Sequence, residues 1–371
     1  MNSGADIQNK KILLICGNSQ SVVNFRYGLI KACCDKKATV SVIALDDDYK
    51  TDIEGMGVTF YSVYSQNRSL NPFGMKKLQN KYFSIINKIK PDIVFTFMLK
   101  PNIFGVRAAK KAGVKKIFSM VEGLGDVFIN NGMKWKIIRS VVCKLYRKSF
   151  KSSNKVFFLN NDDRDEFISR NLVKKEKCVI IPGIGVDLEY FAYKPVKNHH
   201  TFLMVARMLK TKGVLEYCQA ARYVKQKYQD AVFNYLGAEG SVTVSDIQEY
   251  IDDGTVNYLG VTKDVRPFLE DCSVFVLPSY REGMPVSIME AEAAGRAVIA
   301  TNVVGCRYTV IDENNGFLIE SRNFKALAEK MIRLLENKSV IEKMGFNSRK
   351  LAEEKFDSIK INEYIIGVIS A

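Results

Sequence analysis

Histidine and tryptophan are scarce in this 371-residue chain: its two histidines stand side by side at His199 and His200, and Trp135 is its one tryptophan. Both histidines fall in a polar stretch that reads as a solvated linker, so a histidine-based general acid or base has no candidate elsewhere. No apolar run approaches the roughly 18 residues that cross a bilayer, and the opening residues Met1 to Lys10 are polar rather than signal-like. The expectation is a chain that stays in the cytoplasm. Eight cysteines contain no Cys-x-x-Cys pair and mostly fall in apolar runs, which argues against a disulfide framework or zinc site and for reduced core thiols. Repeats of solenoid period, low-complexity tracts and a Gly-x-Gly-x-x-Gly loop are also lacking.

What the chain does have is hydrophobic content and an uneven charge. At 47% hydrophobic residues it can bury two cores. Its formal charge of +15 lies in one half: residues 1 to 195 carry 33 Lys+Arg against 17 Asp+Glu, and residues 196 to 371 carry 22 against 23. A polyanion is therefore expected on the N-terminal half, either nucleic acid or an anionic membrane. Aromatic stacking platforms and a recognition module for nucleic acid are not evident, which favours the membrane.

Short β-rich runs alternate with helical stretches from Lys11 onward: residues 12–15, 40–44, 58–61, 93–96, 117–120, 156–159 and 179–181. After the polar stretch 194–200 the alternation restarts, with runs at 202–205, 232–236, 256–258, 274–277 and 298–300. This β-α-β order predicts parallel sheets in an α/β fold of two Rossmann-like, doubly wound domains, with a hinge near 195 to 200. The expected division is 1–195 for the first domain, 196–355 for the second, and 356–371 for a C-terminal helix packing back on the first. Ligands of such sheets bind at the carboxyl ends of strands, so a cleft between the domains is expected.

The most informative segment is Arg281-Glu282-Gly283-Met284-Pro285-Val286-Ser287-Ile288-Met289-Glu290, which follows a buried strand. Gly283 is expected to allow a tight turn and Pro285 to be the first helical residue. The N–H groups of Gly283, Met284 and Val286 would then face an anion at the positive end of a helix. Glu282 is placed in the loop, and Glu290 about two turns into the helix, where it can accept hydrogen bonds from a diol. In the first domain Gly17-Asn18-Ser19 follows the first strand, with Asn24 and Arg26 within reach of the same place. Glu122, before Gly123 and Gly125, lies at another strand-to-loop turn. The acidic groups Asp46-Asp47-Asp48 and Asp162-Asp163-Arg164-Asp165 sit beside helix starts, where acids are favourable without a metal.

Together with Arg207, Lys212 and Gly213, the pair Glu282 and Glu290 around Gly-x-Pro resembles the signature of the retaining family 4 glycosyltransferases, which have the GT-B fold. The resemblance runs over nearly the whole chain. It extends through Asn67-Arg68-Ser69-Leu70-Asn71-Pro72, Lys100-Pro101-Asn102-Ile103-Phe104-Gly105, Val121-Glu122-Gly123-Leu124-Gly125 and Pro182-Gly183-Ile184-Gly185-Val186-Asp187. These segments are similar to the branch that builds bacterial capsule, O-antigen and glycoprotein oligosaccharides on undecaprenyl diphosphate.

The resemblance implies transfer of a hexose or N-acetylhexosamine, N-acetylgalactosamine first, from a UDP-sugar to an undecaprenyl-diphosphate-linked sugar. It implies catalytic roles for Glu282, Arg207 and Lys212, with Arg207 and Lys212 on the donor diphosphate, Glu282 near the donor sugar and Glu290 on the ribose. Gly17, Gly283, Met284, Pro285 and Val286 complete the expected donor contacts. Asn18, Ser19, Asn24, Arg26, Arg68, Lys100 and Glu122 are the expected acceptor contacts. No cofactor and no metal is expected, because this fold does not use the metal-binding Asp-x-Asp of other transferases. Some relatives carry a histidine just before the lysine matching Lys100; this chain has Phe97, Met98 and Leu99 there, which removes a His-assisted step. Alternative readings are a nucleotide-sugar epimerase of the same fold and a non-catalytic membrane scaffold that binds sugar nucleotides.

Lys134 to Lys151 reads as an amphipathic helix. At 100° per residue Trp135, Ile138, Val141, Val142, Leu145 and Tyr146 share one face, with Lys136, Lys144, Arg147, Lys148 and Lys151 opposite. Five cations at roughly 1 kcal/mol each give up to about 5 kcal/mol toward an anionic leaflet. The resulting expectation is a peripheral protein on the cytoplasmic face of the bacterial inner membrane.

Overall fold

The computed structural model describes residues 7–64, 72–129, 132–197 and 199–371. Two compact units emerge: Met1–Ile184 with Ile359–Ala371, and Gly185–Ser358. In the first, β1 (Lys11–Ile15), β2 (Thr39–Ala44), β3 (Thr59–Ser62), β4 (Ile93–Phe97), β5 (Lys116–Val121), β6 (Lys155–Phe158) and β7 (Cys178–Ile180) form one sheet. Its order is β3-β2-β1-β4-β5-β6-β7 and every pair is parallel. The second unit holds β8 (Thr201–Val205), β9 (Val232–Leu236), β10 (Asn257–Tyr258), β11 (Val274–Leu277), β12 (Ala297–Thr301) and β13 (Gly316–Ile319), in the order β10-β9-β8-β11-β12-β13. Central strands such as Ile93–Phe97 and Ala297–Thr301 are buried at every residue, as apolar runs covered by helices on both faces must be.

Three details depart from the sequence expectation. β13 has no counterpart in the expected strands, because a four-residue run opening with glycine carries little β signal. Gly316 is nonetheless required there, since a Cβ would stand 1.9 Å from the Val298 carbonyl oxygen. The unit boundary lies at Gly185 rather than 195. Val186 N–H donates to Phe356 O at 2.7 Å and Ser358 N–H to Val186 O at 3.1 Å, so both ends of the second unit are bound side by side. Gly185, at φ +78°, permits that approach, its Cβ position lying 2.6 Å from Ser358 Cα.

The expected hinge is instead tied down within the second unit. Lys194 N–H donates to Ala294 O at 3.3 Å, the buried Arg296 guanidinium donates to Lys194 O, and His199 Nε2 lies 3.0 Å from Glu342 Oε1. The helix Ser358–Ser370 belongs to the first unit, where Lys116 Nζ donates to its Ser370 carbonyl.

Candidate active site

In each sheet the strand order reverses once, between β1 and β4 and between β8 and β11. At such a point the loops leave neighbouring strands in opposite directions and open a crevice at the carboxyl edge, where open α/β sheets bind ligands. Arg207 and Lys212 follow β8, and Glu282 follows β11. Two glycines let these loops close together. Gly213 stands at φ +75° with its Cβ position 2.3 Å from the Pro278 carbonyl oxygen, and Gly305 at φ +89° with its Cβ position 2.6 Å from Glu282 Cβ. Tyr280 fastens the loop further: its N–H donates to Thr211 O at 2.8 Å and its hydroxyl to Glu216 Oε1 at 2.5 Å. Glu282 N–H donates to Val304 O at 3.0 Å.

Held in this way, Lys212 Nζ donates to Glu282 Oε1 at 2.5 Å, with the two side chains 25% and 11% exposed. Arg207 is exposed and forms no ion pair among the described residues. Pro285 is the N-cap of helix Val286–Ala293, at φ −75° and ψ 108°, and so lies just outside the helix rather than at its first position. Gly283 keeps out of the positive-φ region, so the turn does not depend on glycine's freedom there. Glu290 consequently lies little more than one turn into the helix, not two. Burial pushes its carboxyl up to about 8.

The first unit assembles its own group at β1 and β4. Gly17 is packed against Met98, whose sulfur would lie 2.5 Å from a Cβ at that position. Asn18 caps helix Ser19–Asp35, its Oδ1 accepting from Ser21 N–H at 2.7 Å. Ser19 N–H donates to Asp46 Oδ1 at 2.9 Å and the Ser19 hydroxyl bonds the same oxygen. Lys100 is buried, which pulls its ammonium pKa down, and the π-helical turn Pro101–Gly105 follows it. Asn24 is exposed on its helix. Arg26 is 2% exposed, pairs with Glu122, and lies with its guanidinium carbon 4.2 Å from the Phe97 ring centroid. It is thus a side chain that holds Glu122 rather than one that reaches out to an acceptor. Arg68 lies outside the described residues.

Residues 199–337 match the family described as "Glycosyl transferases group 1", and residues 11–160 the family described as "Glycosyl transferase 4-like". The chain is 32% identical over 360 residues, 93% of each chain, to the N,N'-diacetylbacillosaminyl-diphospho-undecaprenol alpha-1,3-N-acetylgalactosaminyltransferase of Campylobacter jejuni. The chain belongs to the family 4-like glycosyltransferases. A second relative of this transferase, the UDP-Gal:alpha-D-GlcNAc-diphosphoundecaprenol alpha-1,3-galactosyltransferase of Escherichia coli, is 31% identical over 304 residues, 77% of this chain and 76% of that one. Anabaena HepE in complex with UDP-glucose superposes with a TM-score of 0.81 at 18% identity, over 97% of this chain and 99% of that one, and shares the GT-B fold.

In this glycosyltransferase the acidic clusters are spent locally. Asp46 anchors Ser19, Asp47 accepts from the Tyr64 hydroxyl, and Asp163 accepts from the Asn160 amide N–H at 3.0 Å. Among the described residues no three His, Cys, Asp or Glu are grouped to hold a metal ion. Among the described residues no helix is long and apolar enough to cross a membrane. The transferase's helix Met133–Phe150 buries Val142, Tyr146, Ser149 and Phe150, while Trp135 is half-buried. Val141 departs from the expected apolar face: it is 50% exposed and lines up with Met133, 73% exposed, and Ile137, 61% exposed. At 100° per residue these three share an outward stripe with Lys144, Lys148 and Lys151, whereas the sequence reading had set Val141 on the apolar face opposite those lysines.

Gly305, Tyr280 and Glu216 were not among the sequence candidates. Nothing in their local pattern marks them, since each acts by where its loop lies in space.

Proposed function

We propose that this glycosyltransferase moves a hexose or N-acetylhexosamine, with N-acetylgalactosamine the first expectation, from a UDP-sugar to a sugar on undecaprenyl diphosphate, with the donor's α configuration retained. The observation that carries this reading is the Lys212–Glu282 pair beside the exposed Arg207 at the reversal point of the second sheet. The diphosphate of a nucleotide-sugar gains charge as its glycosidic bond breaks, and two cations fixed at that edge stabilise the growing charge. Arg207 suits bidentate contact with phosphate oxygens and Lys212 acts as a point charge. Glu282, released from Lys212 by the incoming phosphate, faces the donor sugar, and Glu290 accepts from the ribose hydroxyls. The names of the two relatives, both acting on diphosphoundecaprenol-linked sugars, support the acceptor class.

No histidine stands near these groups: His199 lies against Glu342, and His200 is hydrogen-bonded to Asp230. A front-face reaction, in which the leaving phosphate takes the acceptor hydroxyl's proton, fits that setting. We further propose that transfer needs no metal and therefore persists in EDTA. The acceptor contacts are assigned to the first unit, at Asn18, Ser19, Lys100 and Glu122. The outward stripe of helix Met133–Phe150 is assigned to an anionic membrane surface, Met133, Ile137 and Val141 entering the interface and Lys144 and Lys148 meeting lipid phosphates.

The test is mass spectrometry of an undecaprenyl-diphosphate-linked N-acetylhexosamine incubated with the enzyme and a panel of UDP- and GDP-sugars, one at a time. A mass gain with one UDP-sugar supports the reading. Isomerisation of the donor without a gain would favour an epimerase, and inertness toward every pair would favour a scaffold.

A further inference from the structure

At the amino edge of the first unit's sheet, opposite the strand ends that carry its candidate residues, the chain gathers lysines. Lys116 opens β5, Lys155 opens β6 and Lys177 directly precedes β7. With Lys110, Lys115 and Lys151 they line a cavity of about 740 Å³. That volume falls in the range of small-molecule sites, about 300–1,000 Å³.

Lysines at this edge have an ordinary explanation, because helices Val106–Lys111, Met133–Phe150 and Ser358–Ser370 all end here and helix C-termini attract cations. The magnitudes do not balance. Three termini at roughly half a charge each supply about −1.5. That stands against six lysines. Three of the six are already used: Lys116 donates to Ser370 O, Lys155 to Glu176 O at 2.9 Å, and Lys177 to Lys151 O at 2.9 Å and Ser153 O at 2.6 Å. The ammonium groups of Lys110, Lys115 and Lys151 have no partner among the described residues. The nearby Glu176 carboxylate is paired with Lys174 at 3.6 Å and does not line the cavity.

We propose that this cavity binds a compact polyanion of the phosphate class, whether a soluble polyphosphate or the phosphate of a lipid headgroup, held by Lys110, Lys115 and Lys151. The site is separate from the donor diphosphate contacts of the second unit, so it goes beyond the transferase reading and does not depend on it.

The experiment is calorimetric titration of the full chain with sodium tripolyphosphate. Four proteins are compared: wild type, Lys110→Glu/Lys115→Glu, Lys76→Glu/Lys77→Glu with the same charge change on helix Pro72–Ile89, and Arg207→Ala/Lys212→Ala. The expected result is saturable binding with one equivalent that weakens at least about tenfold in the first variant and persists in the other two. Displacement of the tripolyphosphate by phosphatidylglycerol vesicles assigns the site to lipid, and persistence beside them assigns it to a soluble anion. Absence of saturable binding, equal losses in both lysine reversals, or loss confined to the Arg207/Lys212 variant would overturn the proposal. Sugar transfer to a short soluble acceptor should be unchanged in Lys110→Glu/Lys115→Glu.

Discussion

Lys212 and Glu282 share a 2.5 Å hydrogen bond although 70 residues separate them in the chain. Each supplies the other's counter-charge in a half-buried place, so an anionic ligand that draws off Lys212 would leave Glu282 without its cation and, on the proposed reading, free to act on the donor sugar. Glu282→Ala should lower turnover on the order of 10²-fold or more, about 2.7 kcal/mol if one preorganised transition-state contact is lost. Measured kcat and KM check this. An unchanged kcat would remove Glu282 from the reacting centre.

Arg207 is exposed and already free of carboxylates among the described residues, so its removal should act on ligand binding more than on folding. Arg207→Ala should weaken UDP affinity by about 1.5–3 kcal/mol, roughly 10- to 150-fold, by calorimetry. Its melting temperature should stay near that of the wild type.

Glu290 has its carboxyl pushed up to about 8 by burial. The native state therefore holds a proton that the unfolded chain releases near 4.5, and stability should fall as pH rises from about 4.5 to about 8. Glu290→Gln should flatten that slope in denaturant titrations at several pH values. Glu292, buried and raised well above the usual range, contributes in the same sense, so the single change removes only part of it. If the ribose hydroxyls bind the ionised form, UDP binding should also release protons at neutral pH. Calorimetry in buffers of different ionisation enthalpy would detect them; no release would argue against a carboxylate there.

Gly305→Ala tests the support of Glu282 without touching it. At φ +89°, with Glu282 backbone 2.7 Å from the added carbon, the substitution should destabilise the second unit by about 1–3 kcal/mol and lower kcat along with it. Wild-type stability and rate together would show that the loop gives way freely.

Glu122→Ala would leave the buried Arg26 guanidinium without its partner. About 3 kcal/mol of stability should be lost, a penalty seen when one member of a buried pair is removed. Urea denaturation reads this directly, and Arg26→Met in the same background should recover part of the loss.

Period and order made most of the architecture legible: short apolar runs such as Ile12–Ile15 and Val274–Leu277, recurring between helical stretches, match the strands of a sheet covered on both faces. The placement of Glu282, Lys212 and Arg207 in loops that follow buried strands was legible as well, because the apolar runs before them mark β8 and β11. Arg26 was misread, because a helix surface position says nothing of the carboxylate that folds over it from Glu122. Val141 was misplaced for a related reason: periodicity measures an angle around the helix, whereas the neighbours decide which arc is covered. The boundary at Gly185 was hidden because it is set by pairing with residues 356–358, and long-range pairing leaves no local trace.

The return of helix Ser358–Ser370 to the first unit imposes an order on biosynthesis. Lys116 meets the Ser370 carbonyl, and Gly28 lies beside the Asn362 side chain, only after the whole of Gly185–Ser358 has left the ribosome. At about 5–20 residues per second, that is a wait of roughly ten to forty seconds. The part of the chain made first is the last to be finished, and a stop codon near the end would injure the beginning.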